Sequence, residues 1–419
     1  MNLAKVACIN TVALAVLLGL GSFLSQPAQA QTFTLLYTFP DYSGVDVHGV
    51  VRDKSGNLYG TTKQGGTHND GLVFKVGSSG NETTLYNFTW NNGDGAYPYP
   101  GVIRDGADNL YGTTNTGGNQ SYCAGSGCGT VFKVDTTGAE TVLYSFTGGS
   151  DGQYPFAGVI MDKAGNLYGT TYSGGNVNCQ APLGCGTVFQ LSPSQGGTYT
   201  ETVLHRFAGG AKDGAVPSNG SLLRDSKGNL YGVTVFGGSG GTGCGGNRTG
   251  CGTVFRLSKS GMLKVLYSFV GGTTDGCFPI GALAMSAKGD IYGTTPLCGS
   301  SGDGIVWKLS KKRVETVLHS FCGGASDGAV PWAGVILGAK GNLYGDTQKG
   351  GGCQGTCGTV FKLSESGTLT LLHSFDGLDD GDSPTSPLIR DAAGNLYGTT
   401  EGGGPPNGQG YGTVWKITP

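Results

Sequence analysis

The chain has 419 residues, of which 82 are Gly and 10% aromatic; only 13% are charged, for a formal net charge of -2. Glycine at this level without a Gly-X-Y period, beside that aromatic content, excludes a collagen-like rod and a disordered linker. Lys and Arg scattered along the chain give no basic stripe and no basic amphipathic helix, which argues against nucleic acid and anionic membrane as partners.

The first element is a leader. Lys5 precedes an apolar run from Thr11 to Leu24, and Ala28-Gln29-Ala30 follows, the layout of a secretory signal peptide. Cleavage near Ala30 is expected. The run is shorter than a bilayer span, and Cys8 lies before it rather than at its end, which excludes a lipoprotein signal. No second run of that length occurs. The expected organisation is therefore a leader over 1–30 and one domain over 31–419, secreted or periplasmic and without a transmembrane segment.

Seven repeats follow. The phrase G-N-L-Y-G-T-T or a close variant recurs around Asn57, Asn109, Asn166, Asn229, Asp290, Asn342 and Asn395, at spacings of 52 to 63 residues. Four short apolar runs surround each core. In the third repeat they are Gly158 to Asp162, Asn166 to Thr171, Gly186 to Leu191 and Glu201 to Phe207. Rich in Val, Thr, Tyr and Phe and bounded by Gly, Asp, Asn and Ser, they read as strands a, b, c and d, with a innermost. The predicted fold is all-β, a seven-bladed β-propeller of four-stranded antiparallel blades. Its phase argues against a linear solenoid. The chain opens on a d pattern, Phe33 to Phe39, and closes on a c pattern, Gly412 to Ile417, so the first strand is expected to complete the last blade and close the ring.

The phrases G-N-L-Y-G-T-T, G-T-V-F-K-L and E-T-V-L-Y-S-F resemble those of the bacterial choice-of-anchor, or GloVer-repeat, exported proteins over residues 33 to 417. That family carries no established activity, so the resemblance implies no catalytic residue. Its members commonly have a C-terminal surface anchor; here Thr418-Pro419 directly follow the last strand, and free export is expected. At the level of fold alone, the repeat is similar to exported propellers that include lyases and sugar-binding proteins.

Eight cysteines form local pairs in the b to c loops: Cys123 and Cys128, Cys179 and Cys185, Cys244 and Cys251, Cys353 and Cys357. In an exported chain they are expected to be disulfides; zinc is disfavoured because the gaps vary and no His accompanies them. Cys277 and Cys298 form a fifth expected pair. Cys322 is left over, as a free thiol or a link to another chain.

Strand direction puts the long d to a and b to c loops on one face, the top, where binding or chemistry is expected. A varied position before strand a, namely Val47, Tyr99, Phe156, Asn219, Ile280, Trp332 and Thr385, is expected to ring the mouth of the central channel. Tyr99, Phe156 and Trp332 are candidates for stacking on a sugar or peptide and Asn219 for fixing its orientation, against a plain packing role. Asp-Gly recurs in the d to a loops at Asp94, Asp151, Asp213, Asp275, Asp327 and Asp380. These carboxylates are candidates for Ca²⁺, the one cofactor considered, or for an acid and base pair, but Asp before Gly is first a turn signal. His205, His319 and His373 fill the strand-d position of Tyr37, Tyr86, Tyr144 and Tyr267 and read as structural. His48, near the mouth, is the one catalytic candidate, with Arg206 a further asymmetric residue. No nucleophile elbow, zinc motif or phosphate loop occurs. The expected function is a non-catalytic, monomeric binding or interaction propeller for a glycan or cell-surface protein; the alternatives are a polysaccharide lyase or glycoside hydrolase and a purely structural repeat.

Overall fold

The structure, a computed structural model, describes residues 31–40, 44–91, 93–179, 183–217, 219–240, 244, 250–353, 355–406 and 408–418. The expected leader over 1–30, with Cys8, lies outside them. No helix among the described residues is long and apolar enough to cross a membrane.

Seven antiparallel sheets form the blades of a propeller. Blade 3 shows the unit, with strands a to d at Ile160–Met161, Leu167–Thr171, Thr187–Pro193 and Tyr199–Arg206 in that spatial order. Blade 7 is built from both ends of the chain. Its strands a, b and c are Ile389–Arg390, Leu396–Thr400 and Thr413–Thr418, and strand d is Thr32–Thr38, pairing Phe33 with Ile417 and Tyr37 with Val414. The ring thus closes as the repeat phase predicts.

The repeat phrases have direct physical reasons. In G-N-L-Y-G-T-T the second Gly lies under an aromatic ring of strand c: a Cβ on Gly169 would stand 2.5 Å from Phe189 Cζ, and one on Gly293 2.5 Å from Trp307 Cζ2. The second Thr bonds the Thr of G-T-V across the sheet, as Thr171 with Thr187 at 2.9 Å and Thr400 with Thr413 at 2.8 Å. Strand c's aromatic then meets the Phe that ends strand d of the preceding blade. Phe146 and Phe189 sit edge to face at 5.1 Å, and equivalent pairs from Phe39–Phe74 to Phe375–Trp415 recur around the ring. Each such pair contributes about 0.5–1.5 kcal/mol beyond burial. The core is therefore a ring of interblade clusters, with Val131 and Phe146 of blade 2 packed on Val159, Leu167 and Phe189 of blade 3.

On the other face the a to b turns close on the strand-a Asp. Asp162 accepts bonds from the backbone N–H groups of Ala164 and Asn166, from Asn166 Nδ2 and from Tyr168 Oη. Burial pushes its carboxyl up, but these donors outweigh it and the pKa is lowered.

Five disulfides join Cys123–Cys128, Cys179–Cys185, Cys244–Cys251, Cys277–Cys298 and Cys353–Cys357. Cys322 is a correction: it is disulfide-bonded rather than free, with its partner outside the described residues. Blade 4 also departs from four strands, since Gly214–Pro217 in its d to a loop pairs with the upper part of strand b. Short ribbons tie the same loops in three other blades, as Gly276–Cys277 with Leu297–Cys298.

Candidate functional site

In blades 2 to 7 strand a is reached from its d to a loop through a Pro that packs over the Gly before strand c of the preceding blade, as Pro98 Cδ over Gly71, Pro155 Cδ over Gly129 and Pro331 Cδ over Gly304. The residue after that Pro is Tyr99 in blade 2, Phe156 in blade 3, Trp332 in blade 6 and Thr385 in blade 7, whereas Asn219 lies two places after Pro217 in blade 4. In blade 1, Val47 Cγ2 takes the Pro place, over Gly412, and Val47 is buried. His48, not Val47, is therefore the blade 1 residue of the mouth. The offset arises because blade 1 inserts one residue into this stretch of strand a, between His48 and Val51, where blade 2 inserts two between Ala96 and Val102, so its Pro place lies six rather than seven residues before the strand-a Asp.

A small cavity of about 40 Å³ is lined by His48, Tyr99, Asn219, Trp332, Thr385 and Ser386 among others. Of the stacking candidates, Tyr99 and Trp332 line it. Phe156 does not; it stands behind Tyr99, edge to face at 5.9 Å, and against Tyr172. His48 lies on the Tyr99 ring at 4.2 Å, and its Nδ1 is 3.4 Å from Ser386 Oγ. Burial, and then the charge of Lys63, lower its pKa to about 3. Two polar atoms of the lining residues are buried with no hydrogen-bond partner among the described residues, His48 Nε2 and Trp332 Nε1.

Above Tyr99 lies a charged seam between blades 7 and 1 that sequence reasoning missed. Lys63 Nζ is 3.1 Å from Asp46 Oδ2 and 5.7 Å from the Tyr99 ring, and Thr385 Oγ1 donates to Glu401. Burial drives the Glu401 carboxyl up against that donation, and burial, Glu401 and Asp46 together raise the Tyr99 phenol. The available signal is the residue after T-T, which differs in every repeat: Lys63, Asn115, Tyr172, Val235, Pro296, Gln348 and Glu401.

The Asp-Gly aspartates do not converge. Each is held inside its own loop: Asp94 by Tyr86 Oη, Thr89 N and Thr89 Oγ1, Asp151 by Tyr144 Oη and Thr147, Asp275 by Tyr267 Oη and Val270 N. Asp213, Asp327 and Asp380 meet His205, His319 and His373 at 3.2, 3.1 and 2.7 Å. The three histidines are thus latches, and Arg206 is pinned to Ser150 O. Among the described residues the one group of ligating side chains close enough to share an ion is Cys244, Cys277 and Cys298, from two of the disulfides.

The Gloeobacter/Verrucomicrobia repeat model matches residues 18–244 and 240–419. The chain belongs to this repeat family. No functionally curated protein matches it. Among solved structures it is similar to a streptogramin B lyase, at 11% identity and a TM-score of 0.54 over 93% of this chain and 97% of that one. It is also similar to the extracellular domains of two sensor systems of B. thetaiotaomicron, at 13% and 12% identity and TM-scores of 0.52 and 0.54. It covers 93% and 91% of this chain in those matches, and spans about two fifths of each sensor chain. At these identities the likeness is one of fold.

Proposed function

We propose that the protein is an exported binding propeller that takes a glycan or another cell-surface component at the mouth and releases it unchanged. The observation that carries this reading is the pair of buried, unpartnered atoms, His48 Nε2 and Trp332 Nε1, on residues that line one cavity beside the Tyr99 ring. A buried polar group without a partner is expensive, and a ligand supplying the missing bonds recovers that energy. His48 with a pKa near 3 is neutral and too weak a base to take protons at neutral pH, which favours binding over general base catalysis. Five disulfides fit an oxidising compartment outside the cytoplasm. Cleavage after Ala30 is tested by N-terminal sequencing of the exported protein, which should begin at Gln31.

The test is a glycan array of the mature protein with and without Ca²⁺, with product analysis on every hit. Binding without turnover supports the reading; cleavage of a bound sugar replaces it with a carbohydrate-active enzyme. Trp332→Ala should weaken a captured ligand by about 1–3 kcal/mol and leave the melting temperature nearly unchanged. A destabilised fold with intact affinity would assign Trp332 to packing.

A further inference from the structure

The opposite face carries a second site. Between blades 4 and 5 the a to b and c to d turns enclose a groove of about 510 Å³. Lys227, Arg256, Lys288, Lys311 and Arg313 line it against a single acid, Asp225. In sequence Lys311 and Arg313 share one turn, Lys311-Lys312-Arg313, and the other three lie apart; the repeat brings the turns of two neighbouring blades together and gathers them.

We propose that this groove binds an acidic oligosaccharide, with sulfate or carboxylate groups on the five cations and sugar faces on the apolar floor.

None of the five cations is in a salt bridge among the described residues. The nearby acids are occupied. Asp225 accepts bonds from Asn229 and Tyr231, and Asp290 is held by Lys308 at 3.1 Å and by the backbone N–H of Lys311. Arg256 lies against Tyr231, with which its side chain hydrogen-bonds, and its Nε is buried with no hydrogen-bond partner among the described residues.

Arg313 supplies an independent observation. Four sister turns close with a Gly at positive φ whose N–H bonds the residue three earlier: Gly80 at 84°, Gly138 at 86°, Gly261 at 81° and Gly367 at 84°. In blade 5 Arg313 takes that place, at φ 63°, making the same bond to Ser310 O. A side chain is disfavoured in this conformation where glycine is free, and such a residue is retained where its side chain has work to do. Here the work is a cation at the lip of a cationic groove.

The shape selects the ligand. The groove is recessed between two blades and floored by Leu266, Met285 and Leu309, which suits a chain with alternating anionic groups and C–H faces rather than a flat membrane.

The experiment titrates the mature protein with a heparin-derived tetrasaccharide, its desulfated form, an oligothymidylate and vesicles of phosphatidylglycerol, at low and physiological salt. The sulfated tetrasaccharide should bind, with affinity that falls as salt rises, and the desulfated form should not. Arg313→Gly returns the turn to its sisters' residue, so it should keep or raise the melting temperature while weakening binding about tenfold and lowering the salt slope by about one. Lys288→Glu should weaken it as well, and Lys163→Glu, on the same face in blade 3, should not. Unchanged affinity in Arg313→Gly and Lys288→Glu overturns the proposal. So does preferential binding of the vesicles or of the oligothymidylate, which would assign the groove to a membrane or to nucleic acid. None of these results bears on the mouth, which is read by Trp332→Ala.

Discussion

Asp346 stands in the G-N-L-Y-G-T-T phrase where the other blades have Thr61, Thr113, Thr170, Val233, Thr294 and Thr399. Two of those threonines join adjacent blades, Thr61 Oγ1 accepting from Gly101 N at 3.1 Å and Thr113 Oγ1 donating to Ala157 O at 3.0 Å. From blade 6 to blade 7 the Gly101 place is taken by Pro387, which has no N–H to offer. Asp346 is fully buried, neither of its side-chain oxygens has a partner among the described residues, and burial raises its pKa well above the ordinary value. Asp346→Thr is therefore expected to stabilise the protein by about 1–3 kcal/mol at neutral pH. The sign of the pH dependence follows. The folded state keeps a proton that the unfolded chain loses above about pH 4, so Asp346 erodes stability as pH rises from there. Melting curves of wild type and Asp346→Thr should nearly coincide at pH 3 and separate toward pH 7; a constant gap would contradict this. The same residue scale marks the edge of what the sequence reveals. Tyr99, Asn219 and Trp332 are legible as mouth residues because the repeat aligns them. His48 is displaced because strand a of blade 1 is one residue shorter than its sisters before the Asp, and the charge of Lys63 reaches Glu401 only because the ring brings blade 7 against blade 1.

At the scale of elements, the strand-d latch and its neighbour vary together. Four residues before its own latch, the outer strand of the next blade carries Glu where the latch is Tyr: Glu82 after Tyr37, Glu140 after Tyr86, Glu201 after Tyr144 and Glu315 after Tyr267. It carries Leu263, Leu369 or Phe33 there where the latch is His205, His319 or His373. The imidazole offers a flat face, and Phe33 stacks on His373 at 3.9 Å with 9° between the planes. The Tyr latches instead leave an Asp charge beside the Glu. Burial first, and then Asp94, Asp151 and Asp275, raise Glu140, Glu201 and Glu315 to about 7. Their ordinary value is 4.5, so between those values the folded state holds protons that the unfolded chain has lost, and stability falls as pH climbs from about 4.5 to 7. Each group contributes less than about 1.4 kcal/mol per pH unit, since all three are partly solvated. Replacing the three with Gln should flatten the melting temperature across that window, and an unaltered slope would remove the glutamates from the account. The strands themselves were legible from their β-branched and aromatic runs. The pairing of latch with glutamate was not, because those two residues lie on the outer strands of different blades and meet only when the blades pack.

On the scale of the whole molecule, a ring of near-identical blades is stable only when no edge is left open, and the single seam here is made by Thr32–Thr38 against Thr413–Thr418. That strand does more than cover an edge. Phe33 packs on His373, Phe375 and Trp415, which spans the interface of blades 6 and 7, and Phe39 meets Phe74 of blade 1 at 5.1 Å. One short segment thus joins three consecutive blades. The remaining blades hold their neighbours through contiguous chain, whereas blade 7 holds its outer strand only by pairing. Deletion through residue 40 should expose the Thr413–Thr418 ladder, strip the aromatic cover from two interfaces, lower the melting temperature, broaden the transition and promote association through the open edge. Light scattering and calorimetry on the mature and truncated chains read both effects. A truncated chain that stays monomeric and melts as cooperatively as the full ring, at the same temperature, would mean that the seam contributes nothing and that the seven blades stand without closure.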